Sequence, residues 1–256
     1  MNNTKIINNA ITKLSYFAKE YGIDSLFIIG SYCRNMYWGH PQNTDNLEVV
    51  SAFRNESLQL GEIFATEILN VTPKKYPEYD SIVAGFQDGT QNIEIEFQSI
   101  SVNPYMHNQE INNWLQKQGF EDIPIMNNIF GRDFTVNAIL FSLQNEHMYD
   151  PTGRAIPDLE DKKISSLLPP EMLIKYSPVS AFRAIRLSLQ YDCIIDANLR
   201  IAMQESYQSI SNSVSKDRIM ENIVRILKEH GTKGLELLKK YNLTKFLLIP
   251  EIKDLI

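Results

Sequence analysis

A Gly-Ser turn and three strand glutamates carry the chemistry that the N-terminal half of this sequence can offer. Gly30-Ser31 follows the apolar run Leu26–Ile29 and opens a helical turn around Arg34, which Gly39 closes. The free N–H groups and dipole of such a helix start point at an anion. The pair therefore reads either as a phosphate cradle or as a plain turn. Downstream, Asn46 and Glu48 stand two apart at the start of a second strand, and Glu94 and Glu96 stand two apart in a third. Side chains at i and i+2 of a strand point the same way. Glu48, Glu94 and Glu96 are thus either a divalent-metal site or a solvated strand face.

The elements that must position these residues are written in the periodicity. Ile7, Ala10, Ile11, Leu14, Phe17, Ala18 and Tyr21 recur at helical spacing and predict a helix over 4–21, stopped by Gly22. Leu60, Ile63, Phe64, Glu67 and Ile68 predict a second amphipathic helix, and Thr72 to Asp80, with two prolines, a loop. Ile82–Gln87 and Asn92–Phe97 read as strands joined by Asp88-Gly89-Thr90, a hairpin signal. Residues 99–130 carry few signals beyond a short helix around Trp114, and 139–150 read as strand and turn. From Asp158 onward the pattern is helical. Phe182, Ile185 and Leu189 form one stripe, and Ile219, Ile223 and Leu227 another. Leu235, Leu238, Phe246 and Leu247 continue the theme, with Asp196 and Ser215 as N-caps. The expected fold is an α/β head with a mixed sheet over 1–155, then an all-helical region over 156–256.

Composition narrows the classes. At 256 residues and 43% hydrophobic content the chain can bury a sizeable core. A net charge of −6 argues against bulk electrostatic capture of long nucleic acids but leaves local RNA contact open. Cys33 and Cys193 lie far apart, so reduced thiols are expected, and His40, His107, His147 and His230 show no metal-ligand spacing. No apolar run of signal-peptide or membrane length is present, which predicts a cytoplasmic protein without a membrane partner.

Three longer motifs give the chemistry a context. Gly30-Ser31, Arg34 and Gly39 at this spacing resemble the head domain of the class II tRNA nucleotidyltransferase (CCA-adding) and bacterial poly(A) polymerase family. Gly131-Arg132-Asp133-Phe134-Thr135-Val136-Asn137-Ala138 resembles its Arg-Arg-Asp-Phe-Thr-Ile-Asn-Ala. Arg183-Ala184-Ile185-Arg186 resembles the core of its Leu-Arg-Ala-Ile-Arg-Phe helix. Asp150-Pro151-Thr152-Gly153, Asp158-Leu159…Lys162-Lys163-Ile164 and Ser215-Lys216-Asp217-Arg218-Ile219 extend the likeness over roughly residues 20–250. The sequence ends at Ile256 without the full tail with which the family reaches along tRNA.

The resemblance implies nucleotide contacts from Gly30, Ser31, Arg34, Arg132, Asp133, Asn137, Arg183 and Arg186, with Arg132 and Asp133 on phosphates and ribose; the residues alone equally suit a structural role, Arg132 and Asp133 buttressing the joint after the head while Phe134 and Ala138 pack. It also implies two Mg2+ ions held by an Asp-x-Asp pair and a third acid. Here the Asp-x-Asp positions carry Thr44 and Asn46, and Asn35 replaces another aspartate. Only the third position, Glu94, is acidic, and Gln98-Ser99-Ile100-Ser101 lacks the basic residue that usually follows. The base-reading set is replaced by Tyr176, Ser177 and Ser180, and two serines cannot match the bidentate reach of Asp and Arg. Three readings follow. One is a pseudoenzyme that binds tRNA or other RNA, ATP or CTP, or a protein partner. A second is a divergent active transferase with metal on Glu48, Glu94 and Asp45. The third is a non-catalytic interaction subunit.

Overall fold

In the computed structural model, residues 3–53, 56–100, 108–120 and 124–248 are described, so Ser101, His107 and the last eight residues lie outside that set. The chain divides into two compact units. Residues 1–132 and 136–159 make the head unit, and residues 133–135 and 160–256 make the helical unit.

The head is a seven-stranded mixed sheet with helices. Helix α1 (Thr4–Glu20) is followed by β1 (Leu26–Ile29), α2 (Ser31–Tyr37), β2 (Asn46–Ser51) and α3 (Glu56–Ile63), which runs on as a π turn over Phe64–Ile68. Next come β3 (Lys74–Tyr76), β4 (Ser81–Asp88), β5 (Gln91–Gln98), α4 (Gln109–Lys117), α5 (Pro124–Phe130), β6 (Leu140–Ser142) and β7 (Met148–Tyr149). The strand order is β3-β4-β5-β2-β1-β6-β7. Within this sheet β2 and β5 pair in parallel, while the other neighbours are antiparallel.

Alternation decides the two faces. Leu47 and Val49 of β2, with Ile93, Ile95 and Phe97 of β5, are buried beneath α1 and α3. Asn46, Glu48, Glu94 and Glu96 occupy the opposite face, as the period of two requires. Phe17, Phe64 and Phe97 are fully buried and meet ring to ring, at 5.4 and 5.6 Å between centroids. The turn Asp150-Pro151-Thr152-Gly153 is closed by Asp150. Its Oδ1 accepts from the Thr152 N–H and hydroxyl, and its Oδ2 accepts from Ile156 N–H in α6 (Ala155–Glu160).

The helical unit is built from β8 (Lys163–Ile164), α7 (Pro170–Tyr176), α8 (Ser180–Tyr191), β9 (Ile194–Ile195), α9 (Ala197–Gln204), α10 (Tyr207–Ser213) and α11 (Lys216–Lys240). A 3-10 segment, Leu243–Leu248, follows. Helix α8 packs on α11, and the fully buried Phe182 faces the Phe246 ring at 6.3 Å. Asp196 caps α9 and Ser215 caps α11, each through its side-chain oxygen.

Several expectations are corrected. The loop predicted over 72–80 contains β3, which pairs with β4 at the edge of the sheet. Its exposed Lys74 and Lys75 erase the apolar alternation that a sequence reading needs, while charging a sheet edge. Residues 99–130 hold α5 besides the helix around Trp114. It starts on Pro124, whose fixed φ suits a first turn, and buries Met126, Ile129 and Phe130. The C-terminal half is helical as expected, with the addition of one short parallel pair, β8–β9. In α8 Leu187 is buried beside Phe182 and Ile185 while Leu189 is half-buried, and in α11 Ile226 is buried beside Ile219 and Ile223 while Leu227 is half-buried. Leu235 is exposed because α11 kinks at Gly231 (φ 52°, ψ −129°), which resets the helical phase between Ile226 and Leu238. Among the described residues no helix is long and apolar enough to cross a membrane.

Candidate functional site

Gly30 ends β1 and precedes α2 with φ 85° and ψ −133°, a backbone conformation that only glycine adopts without strain. Directly over its Cα lies an ion pair. Arg132 Nη1 and Glu48 Oε2 are 2.9 Å apart, with only 14% and 20% of the two side chains exposed. A Cβ on Gly30 would sit 2.7 Å from Arg132 Nη1 and 3.0 Å from Glu48 Oε1. Two of the expected nucleotide-binding residues, Gly30 and Arg132, therefore meet in the head, together with Glu48. Gly30→Ala should lower head stability by about 1–3 kcal/mol through backbone strain, read as a fall in the urea midpoint. An unchanged midpoint would contradict this backbone assignment.

A second cluster lies one turn into α2. Arg34 is buried; its Nε and Nη2 donate to Asn35 Oδ1 at 3.2 and 3.0 Å, and its Nη1 donates to Asn137 Oδ1 at 2.5 Å. Asn35 Nδ2 in turn donates to Thr44 Oγ1 at 3.3 Å, and both residues are fully buried. Thr44 is extended, at φ −91° and ψ 122°, and leads into β2 two residues ahead of Asn46. At Thr44, one of the two positions where the resembling family holds its paired acids, this chain holds a neutral hydroxyl that accepts from the Asn35 amide. Ser31 is half-buried at the start of α2, and Asp45 is exposed. Cys33, beneath the Gly30 turn, forms no disulfide, and its thiol is pushed up to about 12 by burial, so it stays protonated.

The glutamates face one another in register. Asn46 stands opposite Glu94 and Glu48 opposite Glu96 across the β2–β5 pair. They do not gather into a metal cage. Among the described residues no group of three or more His, Cys, Asp or Glu side chains could hold a metal ion. Thr44 and Asn46 are neutral, and the Glu48 carboxylate is committed to Arg132. This donor set does not fit a two-metal centre, which needs several carboxylates to balance the ions' charge.

In the helical unit, Asp133 and Arg183 are brought together at 2.5 Å, with the Asp133 side chain 11% exposed. Ser180, at the start of α8, donates its hydroxyl to Ser177 Oγ at 3.0 Å. The two serines in the base-reading positions thus satisfy each other. Arg186 lies half-buried one turn beyond Arg183 on α8.

Three contacts escape a sequence reading: Glu48–Arg132, Asn35–Thr44 and Ser177–Ser180. For the last two a signal exists, since both members of each pair depart from the family pattern together. For the first none does, because a strand glutamate carries no mark of its distant partner.

Residues 26–165 match the poly A polymerase head domain family, and residues 194–256 match the family described as the probable RNA and SrmB- binding site of polymerase A. The tRNA nucleotidyltransferase cca2 of Schizosaccharomyces pombe is 31% identical over 118 residues, covering 45% of this chain and 24% of that protein. The mitochondrial CCA tRNA nucleotidyltransferase of Candida glabrata is 23% identical over 249 residues, covering 91% of this chain and 46% of that protein. The chain thus spans less than half the length of these curated relatives. A crystal structure of a tRNA nucleotidyltransferase with a primer tRNA and an incoming ATP analog shares the fold at a TM-score of 0.71 and 20% identity. That match covers 92% of this chain and 62% of that one. A CCA-adding enzyme with CTP does so at 0.73 and 16% identity, covering 98% and 57%.

Proposed function

The chain belongs to the class II tRNA nucleotidyltransferase and poly(A) polymerase family, and from that premise we propose that it has kept the family's ligands and lost its chemistry. It binds an RNA 3′ end and ATP or CTP without transferring a nucleotide. The observation that carries this reading is the buried Asn35–Thr44 hydrogen bond, at 3.3 Å. The Thr44 hydroxyl, at one of the positions where the family supplies metal-binding charge, is neutral and accepts from the Asn35 amide, so nothing at that position calls for an ion. Family members normally use a divalent metal. The donors here do not fit two of them.

The binding residues retain sensible roles. Arg132 supplies a guanidinium for phosphate oxygens, and Asp133 a carboxylate for ribose hydroxyls. The Ser177–Ser180 bond removes the edge that would choose between cytosine and adenine, so binding should discriminate weakly between CTP and ATP. The charge distribution supports RNA contact through the helical unit. That unit holds fifteen Lys and Arg against thirteen Asp and Glu, whereas the head holds ten against eighteen. A slightly basic balance favours phosphate backbones, and the acidic head does not.

The test is incorporation of labelled CTP or ATP into tRNA with Mg2+ or Mn2+. No incorporation is expected, alongside a rise in melting temperature with nucleotide. Robust incorporation that Glu94→Ala abolishes would overturn the reading in favour of a divergent active site.

A further inference from the structure

The Arg132–Glu48 pair closes the face of the guanidinium that an anionic ligand would need. Glu48 holds Nη1 at 2.9 Å, while Nε and Nη2 both point at Asn128 Oδ1 at 3.4 Å. Asn128 lies four residues earlier, in α5, so the arginine is held from the preceding helix and from the sheet at once. Gly30 supplies a third wall, where a Cβ would sit 2.7 Å from Arg132 Nη1. Both charged side chains are largely withdrawn from water, and a pair so placed is net neutral toward anything that approaches.

Glu48 also stands in a negative neighbourhood. It is opposite Glu96 in the β2–β5 register, and Glu94 lies two residues earlier on the same face. An anion drawn to Arg132 must therefore displace one carboxylate while approaching two more. A carboxylate and a phosphate oxygen compete for the same donors of a guanidinium with the same charge-assisted geometry.

We propose that Glu48 is a built-in competitor for polyphosphate at Arg132, so that a nucleotide's phosphates bind only by breaking this ion pair. The proposal rests on the reading above that Arg132 faces phosphate. It adds that this chain carries its own occupant of that position, one that weakens the affinity of any free triphosphate. A purely structural ion pair behaves differently: neutralising its acid changes stability and brings no ligand.

The probe is inorganic tripolyphosphate in metal-free buffer, titrated calorimetrically into the full chain. Glu48→Gln keeps the side-chain volume and removes the charge. It is expected to bind tripolyphosphate about tenfold more tightly than the unaltered chain. Arg132→Gln, alone or combined with Glu48→Gln, is expected to erase that gain. Circular dichroism and melting temperature check that each variant is folded. Should Glu48→Gln fail to fold, Glu48→Asp withdraws the carboxylate by one methylene and must show a smaller gain of the same sign. Equal affinity of the unaltered chain and the folded Glu48 variant, with loss in Arg132→Gln, overturns the competitor role and leaves Arg132 as the phosphate residue. Binding by none of the folded chains overturns both.

Discussion

A chain carrying Thr44→Asp together with Asn46→Asp is expected to gain a divalent-metal site, binding Mn2+ roughly 100-fold more tightly than the unaltered chain. The two new carboxylates would stand two residues apart on extended backbone, and position 46 already lies opposite Glu94. Three acids would then converge where one stands now. The new carboxylate at position 44 would still receive the Asn35 amide that Thr44 receives at 3.3 Å. It would nevertheless be buried beside other acids, so the metal-free variant should lose about 1–3 kcal/mol. Mn2+ at a hundred times its dissociation constant would return about 2.7 kcal/mol. The signature is thus a melting temperature that falls without Mn2+ and recovers with it, followed by calorimetry and Mn2+ spectroscopy. A folded double variant that ignores Mn2+ would show that these positions no longer converge, and that the loss runs deeper than two side chains.

The second large effect concerns the platform beneath the site. Phe97→Ala should destabilise the head by about 3–5 kcal/mol, because its ring is fully buried between Phe64 and the backbone of α3. The contact at Gly61 makes the prediction sharper. A Cβ on Gly61 would lie 2.7 Å from Phe97 Cγ and 2.8 Å from its Cβ, too close to the base of a fixed side chain to be relieved by rotation. Gly61→Ala in the unaltered chain therefore overpacks, at a cost of about 1–3 kcal/mol that its gain of about 1 kcal/mol in helix propensity only partly offsets. In the Phe97→Ala background the same methyl has room. Urea denaturation of the four chains should give a favourable coupling of at least about 1 kcal/mol. Gly61→Ala costing the same in both backgrounds would refute the contact.

Much of the head is legible in the sequence because burial there is periodic. Ile93, Ile95 and Phe97 alternate with Glu94 and Glu96, and the Asp-Gly dipeptide supplies the turn, so alternation and turn chemistry together specify the β4–β5 hairpin. The β1–α2 junction is visible because Gly30 sits where an apolar run stops. Short elements held by partners are not. Strand β3 has three residues, two of them exposed lysines, and exists because β4 offers it a ladder. Strands β8 and β9 have two residues each and pair across α7 and α8. The site divides along the same line. The absence of acids at Thr44 and Asn46 is read from the letters alone. That Asn35 bonds Thr44, and that Glu48 is bound to Arg132 rather than solvated, depends on side chains from separate elements meeting. No local pattern encodes such a meeting.

The strand order has a consequence for how the protein is made. Strand β1, made well before β6, lies between β2 and β6, and β6 begins only at Leu140. Until that segment emerges, Phe27, Ile28 and Ile29 have a partner on one side and an open row of peptide groups on the other. Closing that gap is a contact between distant parts of the chain, of the kind that slows folding and leaves a nascent edge available to other chains. A nascent chain stalled before residue 140 should therefore be protease-sensitive around β1, and protection should appear once β6 and β7 have cleared the exit tunnel. The head is finished late, by residues that lie beyond Arg132.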